Sequence, residues 1–156
     1  MEKNIYKINL SYINSVTNGD STMIEELVEI FLEQINEFSS NFLDMFNDKD
    51  WKNLSILAHK AKTSVLIFGL EELSNDYFKK LEFYSKHFRL KQIESLNSYI
   101  DKIELEKNLL ETQIRCYFEE EKLDSELITL EEVGLLIADI NKHLNKIKKE
   151  VTYLTK

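Results

Sequence analysis

Proline is absent from this 156-residue chain and glycine occurs only three times. Proline removes a backbone donor and glycine costs helix entropy, so their scarcity leaves little to interrupt long helices and disfavours a strand-rich fold with many tight turns. A single cysteine, Cys116, excludes an intramolecular disulfide and a CxxC metal pattern. Long apolar runs are missing too: VLIF and LLIA with their flanks fall far short of the roughly 20 residues a membrane helix needs. The opening MEKNIYKINL has neither an apolar h-region nor a cleavage pattern, so the expected compartment is the cytoplasm, with no membrane partner. Positive charge is in deficit, with 20 Lys and Arg against 28 Asp and Glu, a net −8. That disfavours a nucleic-acid partner, which calls for a basic stripe. The chain also lacks GxGxxG, a Walker lysine and any asparagine-rich kinase box, so no nucleotide site of its own is expected. His59, His87 and His143 fall in different predicted helices without ExxH or HExxH spacing, and no metal site is expected.

What is present is apolar periodicity, in a chain that is 43% hydrophobic and long enough to bury a core. Leu10, Ile13 and Val16 fit a short helix stopped by Asn18-Gly19-Asp20. Thr22 and Glu25 fit a capping box, opening a helix over about 21–47. Its stripe is Ile24, Leu27, Phe31, Ile35, Phe38, Phe42 and Met45. Asp50 suits the cap of the next helix, with Trp51, Leu54, Ala58, Ala61, Val65 and Phe68 as its stripe and Gly69 just past its end. Leu73, Tyr77, Leu81, Tyr84 and Phe88 form the core face of another. Leu90 to about Glu120 reads as one long helix through Ile93, Leu96, Ile100, Ile103, Leu110, Ile114 and Tyr117. After a polar linker at Asp124-Ser125, a second capping box, Thr129 to Glu132, opens a last helix. Val133, Ile137, Ile140, Leu144, Ile147, Val151 and Leu154 then keep strict steps of four and three.

One stretch carries chemistry: LAHKAKTSVLIFGL, Leu57 to Leu70. At 100° per residue, His59 lies about 140–150° from the centre of its helix's apolar arc, which makes it a surface residue. Ser55, Lys62, Thr63 and Leu66 share its face, with Lys62 one turn away, and the aliphatics Ile56 and Leu66 flank it as a docking surface would. An exposed histidine on a helix is, taken alone, most often only solvated.

HKAKTSVLIFG resembles the signature of histidine-containing phosphotransfer (HPt) domains: histidine, lysine at plus three, a small residue at plus four and glycine at plus ten, here His59, Lys62, Thr63 and Gly69. LSYINSVTNGDSTMIEELVEIFLEQINEF is similar to the family's short opening helix, Gly-Asp turn and second helix, and NDKDWKNLSILAHKAK to its turn into the active-site helix. The resemblance runs from about Ile5 to Glu82 in good register, and more loosely to about Leu123. It departs at Thr63, where the family usually has glycine, and at Ala61, where leucine is common. The resemblance implies that His59 Nε2 takes a phosphoryl group from the aspartyl phosphate of a receiver domain and returns it to another receiver. Lys62 would offset the added charge, and Mg²⁺ would come from the partner, so no cofactor is expected on this chain. The implied partners are response-regulator receiver domains and a hybrid sensor kinase. In the family a polar side chain from a neighbouring helix can orient the imidazole, and Gln34, on the edge of its helix's stripe, is the candidate here.

The expected architecture is all-α: an antiparallel four-helix bundle over 1–123 with a short N-terminal helix, and a C-terminal helix over 124–156. That last helix is expected to fold back along the Leu90–Glu120 helix in a monomer, or to pair as a coiled coil in a homodimer. The expected function is a phosphorelay intermediate with no kinase activity of its own. The rival is a non-phosphorylated helical scaffold that holds signalling partners together.

Overall fold

The computed structural model describes residues 7–95 and 101–154, and the fold is all-α, with no strand among the described residues. Helix α1 spans Ser11–Thr17 and buries Ile13; the left-handed Asn18 and Gly19 then turn the chain, as the Asn-Gly-Asp signal requires. Helix α2 spans Ser21–Asn47. Its cap is Asp20, which accepts from the backbone N–H of Thr22 and Met23, so the acid one residue before the helix takes the place expected of Thr22. Helix α3 spans Trp51–Ile67 with Asp50 as cap. It ends in a Schellman motif: Gly69 N–H donates to Leu66 and Leu70 N–H to Val65.

Then come a π-helical turn, Leu73–Phe78, and α4, Lys79–Ser95. Helix α5 spans Asp101–Glu121, and α6, Leu130–Leu154, follows a short 3₁₀ turn at Ser125–Leu127. Thr129 caps α6 as expected, accepting from Glu132 N–H.

Helix α2 packs on α3 and on α6, and α4 packs on α3, α5 and α6. Each of these pairs is antiparallel. Phe31 stacks on Phe68 while Phe46 meets Trp51; Trp51 stacks on Phe88 while His59 reaches Glu82. Phe83 stacks on Tyr117 while Arg89 grips Glu106, and Tyr77 meets His143. One hydrophobic core joins Phe31, Phe38, Phe42, Leu54, Val65 and Phe78 to the α6 stripe.

Two expectations change here. The Leu90–Glu120 segment is not one helix: Leu90–Ser95 completes α4, and α5 runs back alongside it. Leu96 and Ile100 lie outside the described residues. The C-terminal helix is not an appendage to a 1–123 bundle and does not lie on α5. Its stripe Val133, Ile137, Ile140, Leu144, Ile147 and Val151 is no more than 1% exposed and belongs to the common core. Asn141 donates to the Ser39 carbonyl and Lys148 to Asn36, and a Cβ on Gly134 would stand 3.2 Å from the Phe46 ring. The physical reason is area: α2 offers a long aromatic stripe that α3 alone does not cover, and each large apolar side chain buried there is worth about 1.5–3 kcal/mol. The helix added on the outside is α5, which packs chiefly on α4 through Leu110, Ile114, Tyr117 and Phe118.

Candidate functional site

Helix α3 turns its stripe of Leu54, Ala58, Ala61 and Val65 into the core and leaves His59 on the opposite side, its side chain 62% exposed. The ring is nevertheless held. Its Nδ1 lies 3.1 Å from Oε1 of Glu82 on α4, a side chain only 3% exposed. Lys62 Nζ donates to the same oxygen at 3.2 Å, and Lys86 Nζ donates to Oε2 at 2.8 Å. Burial works to raise the Glu82 carboxyl, but the hydrogen bond and charge of Lys86, the bond from His59 and the charge of Lys62 outweigh it and hold it below the ordinary glutamate value. Glu82 is therefore ionised near neutral pH, and an ionised carboxylate only accepts. The bond to His59 thus requires the proton on Nδ1. In the neutral ring Nε2 then carries the lone pair, on an exposed side chain.

The site opens into a surface groove of about 430 Å³ between α3, α4 and α5. Lys62, Lys79 and Lys86 line it with Thr112, Gln113 and Cys116 of α5. Cys116 is exposed there, whereas its place in a periodic helix suggests burial; α5 turns its Leu110, Ile114 and Tyr117 side to α4 and leaves Cys116 off it.

Of the residues expected at the site, His59 and Lys62 come together on Glu82. Thr63 is exposed one turn beyond His59. Ile56 and Leu66 are exposed to 57% and 41%, as a docking surface needs. Ser55 is not on that surface: it is 7% exposed and its hydroxyl donates to the Lys52 carbonyl. Gln34 is half-buried on α2 and makes no hydrogen bond to His59, whose ring faces α4 instead. Gly69 holds the end of α3 at φ +76°, and a Cβ there would stand 2.5 Å from the Asn9 Cβ. Asn9 N–H donates to the Phe68 carbonyl, so the segment before α1 crosses the end of α3 at this point. Glycine is required both for the left-handed backbone and for this close approach.

Sequence reasoning missed Glu82 and Lys86. The Leu73, Tyr77, Leu81, Tyr84, Phe88 pattern leaves Glu82 off the stripe. Helix α4, however, is covered by α3, α5 and α6, and it buries Leu81, Glu82, Tyr84, Ser85 and His87 on several sides. The preceding π turn also carries more residues per turn than an α-helix and so rotates the face that follows. The one available signal was Glu82 and Lys86 at i and i+4.

Among the described residues no cluster of three or more His, Cys, Asp or Glu could hold a metal ion, and no helix is long and apolar enough to cross a membrane. Comparison of the chain with protein-family models, with curated proteins and with solved structures finds no match. Chemically, the arrangement offers an exposed imidazole whose Nδ1 is held by a buried carboxylate, two ammonium groups on that same carboxylate and no nucleotide-binding motif in the sequence.

Proposed function

We propose that this chain is a phosphorelay intermediate of the HPt type, carrying a phosphoryl group on His59 between receiver domains. The observation that supports it best is the bond from His59 Nδ1 to the buried Glu82, which leaves Nε2 as the nucleophilic nitrogen. In this reading the four antiparallel helices α2, α3, α4 and α6 serve as the family's bundle, and Glu82 fills the ring-orienting role for which the resemblance made Gln34 a candidate.

In the transfer step, Nε2 attacks the phosphorus of the partner's aspartyl phosphate. The Nε2–P bond forms, the P–O bond to the acyl oxygen breaks, and the aspartate leaves as a carboxylate. Nδ1 keeps its proton throughout, so the phosphorylated ring is cationic and Glu82 lies against that charge. Lys62 is placed to turn from Glu82 to the phosphoryl oxygens, and such transfers depend mainly on positioning and electrostatics. The reverse sequence delivers the group to a second receiver aspartate. Mg²⁺ belongs to the receiver, and Ile56 and Leu66 supply apolar contact beside the ring.

The test is incubation with a phosphorylated receiver domain. Acid-labile, base-stable phosphate on the wild-type chain and none on His59→Gln is the expected result. Absence of label on a folded wild-type chain, tried with several receivers, returns the scaffold reading.

A further inference from the structure

We propose that Lys86 is a positioning residue whose ammonium neutralises the buried Glu82 carboxylate and so keeps the His59 ring uncharged, with its Nε2 lone pair free. A carboxylate shielded from water beside an imidazole favours the imidazolium, and an imidazolium has no lone pair with which to attack. Glu82 is such a carboxylate, 3% exposed and in contact with Nδ1. For this proposal, other cations must meet the carboxylate's charge.

Two cations meet it. Lys62 shares Oε1 with the ring, whereas Lys86 has Oε2 to itself at 2.8 Å, the shortest of the three contacts. Lys86 is one turn from Glu82 on the same helix, and its side chain is 16% exposed, with Nζ 4.7 Å from the centre of the Phe83 ring. It is thus held against Oε2 by its own helix and by an aromatic face. In the phosphorelay reading, on which this division of labour rests, Lys62 leaves Glu82 for the phosphoryl group, and Lys86 is the cation that remains. The titratable groups that line the groove together with the ring are Lys62 of α3, Lys79, Glu82 and Lys86 of α4, and Cys116, Tyr117 and Glu120 of α5. Of these, only Glu82 is hydrogen-bonded to the ring.

The experiment is ¹⁵N NMR of the full chain with labelled histidine, His59 being assigned by its loss in His59→Gln. The ring nitrogen shifts separate the two neutral tautomers from the imidazolium. At a fixed pH just above neutrality, Lys86→Met is expected to raise the imidazolium fraction of His59 by about threefold or more, since the unit charge bound to the other oxygen of the same carboxylate has been removed. Lys86→Arg restores the wild-type signature. If Lys86→Met does not fold by circular dichroism, Lys86→Gln replaces it, keeping a donor to Oε2 without the charge, and the same rise is expected. An unchanged imidazolium fraction in a folded Met or Gln variant overturns the proposal, as does a wild-type ring with its proton on Nε2. Transfer is read separately: uptake from a phosphorylated receiver falls in Lys86→Met at neutral pH and recovers in more alkaline buffer. A chain whose ring responds to Lys86 while the wild type accepts no phosphate keeps the charge role and refutes the phosphorelay reading alone.

Discussion

His59 and Lys62 make no contribution to the core, so changing them should separate chemistry from folding. His59→Gln is expected to keep the wild-type stability to within about 1 kcal/mol, because no cavity forms and glutamine still carries a donor for Glu82, and to accept no phosphate. In the phosphorelay reading, Lys62→Ala is expected to slow transfer in a stopped-flow assay by loss of a cation beside the phosphoryl group, and to lower stability by about 1 kcal/mol because buried Glu82 loses one of its partners. Glu82 behaves differently because it is buried. Its carboxyl is held below the usual value of 4.5, so as pH falls the unfolded chain takes up this proton before the folded one does. Its stabilising contribution is full above that value and is lost as pH drops through the folded one. Thermal melts should therefore show Glu82→Gln less stable than wild type at neutral pH, by about 1–3 kcal/mol, with the gap closing on acidification. A gap independent of pH would mean that Glu82 acts by shape and not by charge. At this scale the wheel sufficed for His59, since a position opposite the stripe needs no partner to be placed. It could not supply Glu82, 23 residues away on another helix.

Among the elements, the end of α3 and the whole of α6 are the points where small changes should cost most. Gly69→Ala puts a Cβ 2.5 Å from the Asn9 Cβ at a φ of +76°, and is expected to lower stability by about 1–3 kcal/mol. Helix α6 buries Ile140 and Leu144 completely, so either residue changed to Ala should cost about 2–5 kcal/mol in denaturant titration. A chain cut after Leu123 would uncover the face of α2 on which α6 packs, and it is expected to lose its native melt altogether. The existence, N-terminal cap and stripe of α6 through Val151 were readable because a four-and-three pattern fixes a helix and its buried face, while the side chain of Leu154 lies outside the described residues. Its partner was not, since an aliphatic stripe fits any apolar groove of the right length. The same limit merged the end of α4 with α5, because the apolar period runs on from Leu90 to Tyr117 while the chain reverses.

For the molecule as a whole, the α6 stripe is consumed inside one chain and is not available to a coiled-coil partner. Light scattering after size exclusion is expected to report a monomer at tens of micromolar. A dimer would have to use another surface, and α6 core variants would show it by leaving the dimer intact. Ile56 and Leu66 remain exposed on the side of His59. In the phosphorelay reading, Ile56→Glu and Leu66→Glu are expected to weaken receiver binding about tenfold or more without lowering Tm, as a charge set in an apolar contact does. Normal binding by both variants would remove them from the footprint.

Sequence by itself determined the all-α class, the α2 bounds, the caps at Asp50 and Thr129, the glycine stop at Gly69 and the outward placement of His59, Ile56 and Leu66. All of these follow from local geometry: residue spacing around a helix and the chemistry of its two ends. Tertiary structure alone decided that α6 completes the core, that α5 lies outside it, that Ser55 is buried, and that Glu82 and Lys86, not Gln34, hold the ring's surroundings. These depend on which apolar faces meet and on which buried charge finds a partner. Both are settled by contacts between residues distant in the chain, where no local period carries the information.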